Sequence, residues 1–156
     1  MSKSTADNPA VIVFPPALYA VTLIAGLVIH FLFPIHFLPR PVSTWLGIAA
    51  ILVAFSIAFS AIRTMRQAKT AVNPALPTTA IVSSGIFAFS RNPIYVSFTL
   101  LYLGIALLFD SLLLVLLLVP LLVIVQTGII KREESYLERK FGDEYLNYKQ
   151  RVRRWL

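Results

Sequence analysis

The sequence predicts an all-α, polytopic membrane protein with four transmembrane helices in two hairpins and a cytoplasmic amphipathic helix at the C-terminus. Three observations predict it. Hydrophobic residues make up 58% of the 156-residue chain and charged residues only 13%, far from the composition of soluble domains. Apolar runs of spanning length recur along the chain. The basic residues gather on one side of those runs. A chain of this length has room for one domain, residues 1–156.

The first apolar run covers 11–33 and the second 43–63. Each supplies the roughly 20 residues that a helix needs to cross ~30 Å of hydrocarbon. The first is too long, and lacks a small-residue cleavage site, to be a removable signal peptide. Pro15-Pro16 fall at its start, where missing backbone donors matter least. From Ile94 to Ile130 the chain is apolar again, with Asp110 its one charged residue. As a single helix this stretch would run ~55 Å, far more than one crossing. Asp110-Ser111 is the polar place to turn, which gives spans at 93–109 and 111–130.

Between the first two spans, Phe33-Pro34 and Leu38-Pro39-Arg40-Pro41 predict a short extended outer loop, because residues before proline avoid the helical region. Thr44-Trp45 then begin the second helix, with the indole at the depth of the aromatic belt. Residues 64–92 form a long connection punctuated by Asn73-Pro74, Pro77-Thr78-Thr79 and Ser83-Ser84-Gly85. Its apolar pieces, Ala80-Ile81-Val82 and Ile86-Phe87-Ala88-Phe89, predict that it packs onto the bundle. Asn92-Pro93 reads as a helix start, with Asn as N-cap and Pro at the first position. Pro120 predicts a kink in the fourth helix, and Gln126 a hydrogen bond between helices.

With an N-terminus in the cytoplasm and four crossings, every Lys and Arg except Arg40 falls on the cytoplasmic side. The positive-inside bias therefore predicts both termini in the cytoplasm. The basic tail suits anionic lipid headgroups, which explain it more simply than a nucleic acid. No cysteine is present, which excludes disulfides, thiolate nucleophiles and cysteine metal sites. His30 and His36 lie near the outer end of the first hairpin and read as interfacial rather than metal-ligating. The six glycines never form G-x-G, which argues against a dinucleotide-binding turn. In the tail, 131–156, the residues Leu137, Phe141, Tyr145, Tyr148, Val152 and Trp155 recur every three or four positions along one stripe. Gly142-Asp143 interrupts it as a helix stop followed by a helix start. This stripe predicts a helix on the membrane surface, one that also lids a pocket.

Ser90-Arg91-Asn92-Pro93-Ile94-Tyr95 and Lys131-Arg132-Glu133-Glu134 close the two ends of the second hairpin and so meet at one membrane face. Glu133 and Glu134 point about 100° apart on a helix. One is free to pair with Lys131, Arg132 or Arg91 and the other to meet a cationic ligand. A salt-bridge network at the bilayer boundary explains the same residues without a ligand. The residues alone stop at a polar pocket over an apolar bundle.

The segment Gly85 to Tyr95, the apolar hairpin, Arg132-Glu133-Glu134 and Phe141-Gly142-Asp143-Glu144-Tyr145 together resemble the isoprenylcysteine carboxyl methyltransferase family, with the phospholipid N-methyltransferases as relatives. The likeness covers roughly residues 78–156 and is closest to small prokaryotic members. Asn92 stands where a His is common, Phe87 where a Tyr is common, and Arg153 where many members have Pro. The resemblance implies S-adenosylmethionine bound by Arg91, Asn92, Pro93, Tyr95, Glu133 and Glu134, with Arg91, Arg132 and Glu134 in catalytic roles and no metal. It implies a lipophilic or prenylated substrate, membrane lipids as surroundings, no nucleic acid, and an inner-membrane location. Carboxyl O-methylation of an isoprenylcysteine-like acceptor is the expected reaction. Phospholipid N-methylation, and a non-enzymatic scaffold or sensor with the same fold, are the alternatives. The acceptor is expected to enter from the bilayer between the third and fourth helices.

Overall fold

The computed structural model describes residues 14–73 and 76–156, and these contain helices and connections but no strand. The predicted first residues of span one, 11–13, and Pro74 of the Asn73-Pro74 turn lie outside the described residues. In chain order the helices are α1 (Pro15–Leu32), α2 (Arg40–Gln67), a single 3₁₀ turn (Gly85–Ala88), α3 (Pro93–Leu108), α4 (Leu112–Ile124), α5 (Lys131–Phe141) and α6 (Asp143–Arg151). Residues Val125–Ile130 join α4 to α5 in π-helical geometry, so Leu112–Phe141 is one continuous helix of 30 residues.

Three helices are long and apolar enough to cross a membrane: α1, α2 and the α4–α5 helix. The fourth expected span, α3, is apolar but only 16 residues long. At 1.5 Å per residue it reaches ~24 Å, short of a full hydrocarbon core.

α2 starts before Ser43 because Pro41, lacking an N–H, sits in the first helical turn, where no donor is needed. It also outlasts its apolar run, carrying Arg63 and Arg66 on its last turns. The connection between α1 and α2 is extended, as expected. It docks on the α3–α4 turn, where Asp110 Oδ1 accepts from the N–H groups of Phe37 (3.2 Å) and Leu38 (3.0 Å). That turn lies at Asp110-Ser111, with Asp110 at φ 49° and the Ser111 hydroxyl accepting from Leu114 N–H. The His36 imidazole lies 3.3 Å from the Asp110 carboxylate, so this histidine does have a nearby acid, supplied by the other hairpin. Among the described residues no group of three or more His, Cys, Asp and Glu is placed to hold a metal ion.

α1 and α2 find their main partners across the bundle rather than in each other. α2 packs most extensively on α3, and α1 lies on α4 and α3. A core of Tyr19, Tyr95, Tyr102, Ala106, Leu114, Leu118, Leu121, Val125, Ile129 and Ile130 joins α1, α3 and the long helix. Pro120 does not interrupt that helix; its departure from α-geometry comes at Val125–Ile130. Each residue of an α-helix advances about 100°, so a wide turn resets which face points inward. The buried stripe Leu114, Leu118, Leu121, Val125, Ile129 accordingly doubles at Ile130 and continues at Glu134.

Gly104 is the tightest point of the α2–α3 contact. A β-carbon there would lie 2.6 Å from Ile51 Cγ1 and 3.0 Å from the Gly47 carbonyl oxygen. This glycine is used inside the chain, so it offers no surface for self-association. Gly104→Val is expected to force the helices apart and destabilise the bundle by about 1–3 kcal/mol, the usual cost of overpacking. A lowered thermal midpoint in detergent would report it; an unchanged midpoint would show that the contact yields without loss.

Candidate functional site

The last turn before α3 is held by its own polar atoms and by the chain's C-terminus. Ser90 Oγ accepts from Asn92 N–H (3.1 Å). Arg91 N–H donates to the Arg153 carbonyl (3.0 Å), and Asn92 Nδ2 donates to the Arg154 carbonyl (2.8 Å). Asn92 occupies the N-cap position of α3, yet its side chain makes no capping bond. It holds the tail instead. Helix α6 ends at Arg151, and Val152 is extended. Val152 and Trp155 therefore leave the predicted helical stripe, and residues 152–156 run back as a strap. Trp155 Nε1 donates to Gln126 Oε1 (2.9 Å), so Gln126 bonds the strap rather than a second helix.

The π turn carries Glu133 and Glu134 against this strap, and the two carboxylates divide. Glu134 is 5% exposed and is shared by two guanidiniums. Arg91 Nη1 lies 3.0 Å from its Oε1. Arg154 grips it as a fork, Nε to Oε1 at 2.9 Å and Nη2 to Oε2 at 2.8 Å, the geometry that makes arginine–carboxylate pairs strong. Hydrogen bonding to Glu134 holds the Arg154 guanidinium pKa above its ordinary value. Glu133 has no guanidinium; its Oε1 accepts from Tyr95 OH at 2.6 Å. It stands on α5, past the apolar part of the long helix. Desolvation raises its carboxyl to about 7, with the Tyr95 bond lowering it and the Glu134 charge raising it. Tyr145, whose hydroxyl accepts weakly from Arg91 Nη1 at 3.5 Å, is pushed up to about 12 by burial and then by the Glu134 charge.

These groups line a cavity of about 400 Å³, within the range of roughly 300–1,000 Å³ typical of small-molecule sites. Its polar wall includes Arg91, Asn92, Tyr95, Glu133 and Glu134. The connection between α2 and α3 supplies another wall, Thr70 to Asn73 with Thr78 and Ala80 to Val82, so it does pack onto the bundle as its apolar pieces predicted. Thr78 N–H donates to Tyr136 OH (3.3 Å) and Thr79 N–H to Thr70 Oγ1 (3.2 Å). Tyr145 and Tyr148 of α6 close the cavity from the tail side, with Tyr148 OH donating to the Phe87 carbonyl (2.8 Å). The apolar wall is Phe14, Pro15 and Pro16 at the start of α1 with Ile94 and Phe98 of α3. Among the described residues none of α4 lines it, whereas α1 and α3 both do.

Six of the seven residues singled out from the sequence (Arg91, Asn92, Pro93, Tyr95, Glu133 and Glu134) therefore come together around one cavity. Arg132 does not. It is exposed and lies outside the lining, because it falls about 100° from Glu133 on the helix. The sequence reading missed Arg154, whose signal was diluted in a run of basic residues that all suit a lipid surface. Among the described residues Arg91 Nε, like His30 Nδ1 and Tyr102 OH elsewhere in the bundle, is buried without a hydrogen-bond partner.

A model of the phospholipid methyltransferase family matches residues 42–144, from the start of α2 to the start of α6. An uncharacterized protein of Haemophilus influenzae is 78% identical over 27 residues, which make up 17% of this chain and 43% of that protein. With a family match over more than half of its length, in helices that carry the apolar spans and the polar cavity, this chain belongs to the phospholipid methyltransferase family, a family of membrane methyltransferases.

Proposed function

We propose that the protein transfers a methyl group from S-adenosylmethionine to the carboxylate of a lipophilic, isoprenylcysteine-like acceptor, and that both termini lie in the cytoplasm of a prokaryote. The observation that carries this reading is a cavity that sets Arg91 in its polar wall against an apolar wall of α1 and α3 residues. An acceptor carboxylate at that wall would meet the Arg91 cation, a charge-assisted pairing.

The donor set also fits the cofactor. Glu133 would face its cationic end, and the rings of Tyr95, Tyr136, Tyr145 and Tyr148 offer π-faces to a sulfonium. Bound there, S-adenosylmethionine supplies an activated methyl group. The chain's own work is placement and exclusion of water. Tyr95 OH orients the Glu133 carboxylate. Glu134, already shared by Arg91 and Arg154, serves to position Arg91 rather than to touch the reacting atoms. The apolar wall of α1 and α3 would take the acceptor's lipid portion and keep water from the transfer, so that close approach supplies much of the rate. A terminal carboxylate, with an ordinary pKa of about 3.3–3.7, is ionised already and asks the site for no base.

A second reading, methylation of a phospholipid amine, is favoured by one observation. The Glu133 carboxyl, raised to about 7, is poised to take a proton from an ammonium. The two readings separate by the stability of the product. With a tritiated cofactor and membrane lipid extract, a methyl ester releases volatile label in alkali and an N-methyl product retains it. Base-labile label is the expected result, and base-stable label would replace the carboxylate reading with the amine one.

Cofactor binding has a pH signature of its own. The Glu133 carboxylate attracts a cation only when ionised, so affinity should be full above pH 8 and fall as pH drops through about 7. Glu133→Gln should weaken binding by roughly tenfold to a hundredfold, the worth of one hydrogen bond to a charged group, and flatten the profile. Calorimetry on detergent-purified protein from pH 5.5 to 8.5 measures both. A wild-type profile retained by Glu133→Gln would remove Glu133 from the cofactor site, and binding without turnover of any lipid would favour the scaffold or sensor. Arg154→Lys keeps the charge but cannot form the fork. It is expected to lower turnover while leaving a folded protein, and equal loss on Arg154→Gln and Arg154→Lys would show that geometry rather than charge matters.

A further inference from the structure

Arg63 and Arg66 stand apart from the cavity. They lie three positions from each other on the last turns of α2, both exposed. Among the described residues neither is paired with a carboxylate. With Phe59, Ile62 and Gln67 they line a second, open groove of about 540 Å³, and no acidic residue lies in its lining.

The groove sits at the end of an apolar track. Ile48, Leu52, Phe55 and Phe59 recur every three or four residues below it on one face of α2, each between 38% and 68% exposed. Ala54 and Ala61 mark the opposite, buried face, turned into the bundle. A ligand that fits must be apolar along the track and negative at its head. We infer that this groove binds an anionic phospholipid, its phosphate held by Arg63 and Arg66 and its acyl chains laid along Leu52, Phe55 and Phe59.

Three features favour this occupant over diffuse attraction to the membrane surface. Guanidiniums at i and i+3 project from one face, so both can fork onto a single phosphate. Gln67 adds a neutral donor beside them. The charge is local: two cations with no acid in the lining match a lipid of net negative charge, whereas the ammonium of a zwitterionic headgroup would meet repulsion. The site also has a neighbour of consequence. Met65, on the same turn of α2, lines the main cavity, so a lipid here would brace the outer side of a turn whose inner side walls the candidate active site. The inference does not depend on which acceptor is methylated.

Thermal unfolding of the full chain in detergent tests it, with added dioleoyl phosphatidylglycerol, dioleoyl phosphatidylcholine or inorganic phosphate. Phosphatidylglycerol should raise the midpoint saturably, and the other two should not. Arg63→Gln/Arg66→Gln should shift the concentration needed by roughly tenfold or more, as expected for lost hydrogen bonds to a charged group. Its midpoint in phosphatidylcholine should match the parent, which verifies folding. Arg139→Gln, an exposed basic change on α5, should leave the phosphatidylglycerol shift intact. The inference is overturned by an equal shift with phosphatidylcholine, by an equal shift with inorganic phosphate, or by an equal loss in Arg139→Gln. If the double variant does not fold, Arg63→Lys alone carries the test, with an unaltered response to phosphatidylglycerol counting against the site.

Discussion

One buried carboxylate, Glu134, organises the polar half of this molecule. It receives Arg91 from the turn before α3 and Arg154 from the last residues of the chain. A buried carboxylate is costly to desolvate, and its pairing repays that cost only when the geometry is good and the remaining lone pairs are met. Here both oxygens are met by the Arg154 fork, and Arg91 adds its charge 3.0 Å from Oε1. Removal of Glu134 would leave Arg91 and Arg154 without their shared counter-charge, so the strap, the α3 turn and α5 are tied into one unit. The backbone bonds from Arg91 and Asn92 to the carbonyls of Arg153 and Arg154 repeat the same tie.

That arrangement depends on two departures from regular geometry. The π turn at Val125–Ile130 re-aims α5, so the face that is apolar and buried through α4 becomes the face that presents Glu134. Gly142, at φ 53°, then turns the chain from α5 into α6, a conformation that L side chains rarely adopt. With nothing within 4 Å of a β-carbon built there, backbone conformation rather than space explains the glycine. α6 can then bring Tyr145 and Tyr148 over the cavity and release the strap toward α3.

The sequence made the helical architecture legible through its apolar runs, and the site through the two polar clusters that bound the second hairpin. It was read less well where structure depends on contacts between distant segments. Arg154 sits among Arg151 and Arg153, and nothing in local spacing distinguishes the one that turns inward. The end of the amphipathic stripe was lost for a related reason. Val152 and Trp155 keep helical spacing, but the backbone is drawn off the helix by bonds to Arg91 and Asn92. Asn92 looked like an N-cap because Asn-Pro is a good local start; the tertiary bond to Arg154 outcompetes the cap. Pro120 drew attention as the disruption in the long helix, whereas the π turn that matters has no proline. The missing signal lay in the phase of buried positions, where Ile129 and Ile130 are both buried and Glu134 follows.

The two adjacent glutamates show how a short motif can do two jobs. Side by side on a helix, they point in directions about 100° apart and cannot face each other as an acid–base pair. Separation of direction becomes separation of environment. Glu134 meets two permanent cations and is committed to holding the framework. Among the described residues Glu133 meets a phenol, and desolvation raises its carboxyl to about 7, ready to respond to an arriving charge. A cation entering the cavity would therefore meet one acid free to answer it and one that is not. The apolar wall completes the asymmetry: Tyr19 OH bonds Thr99 Oγ1 at 2.9 Å and packs on Phe98 with ring centroids 5.6 Å apart, sealing α1 to α3 beneath the cavity. Above that seal, Phe14, Pro15 and Phe98 leave the side toward α1 apolar. A soluble cation and a lipid thus have different reasons to be where they would have to meet.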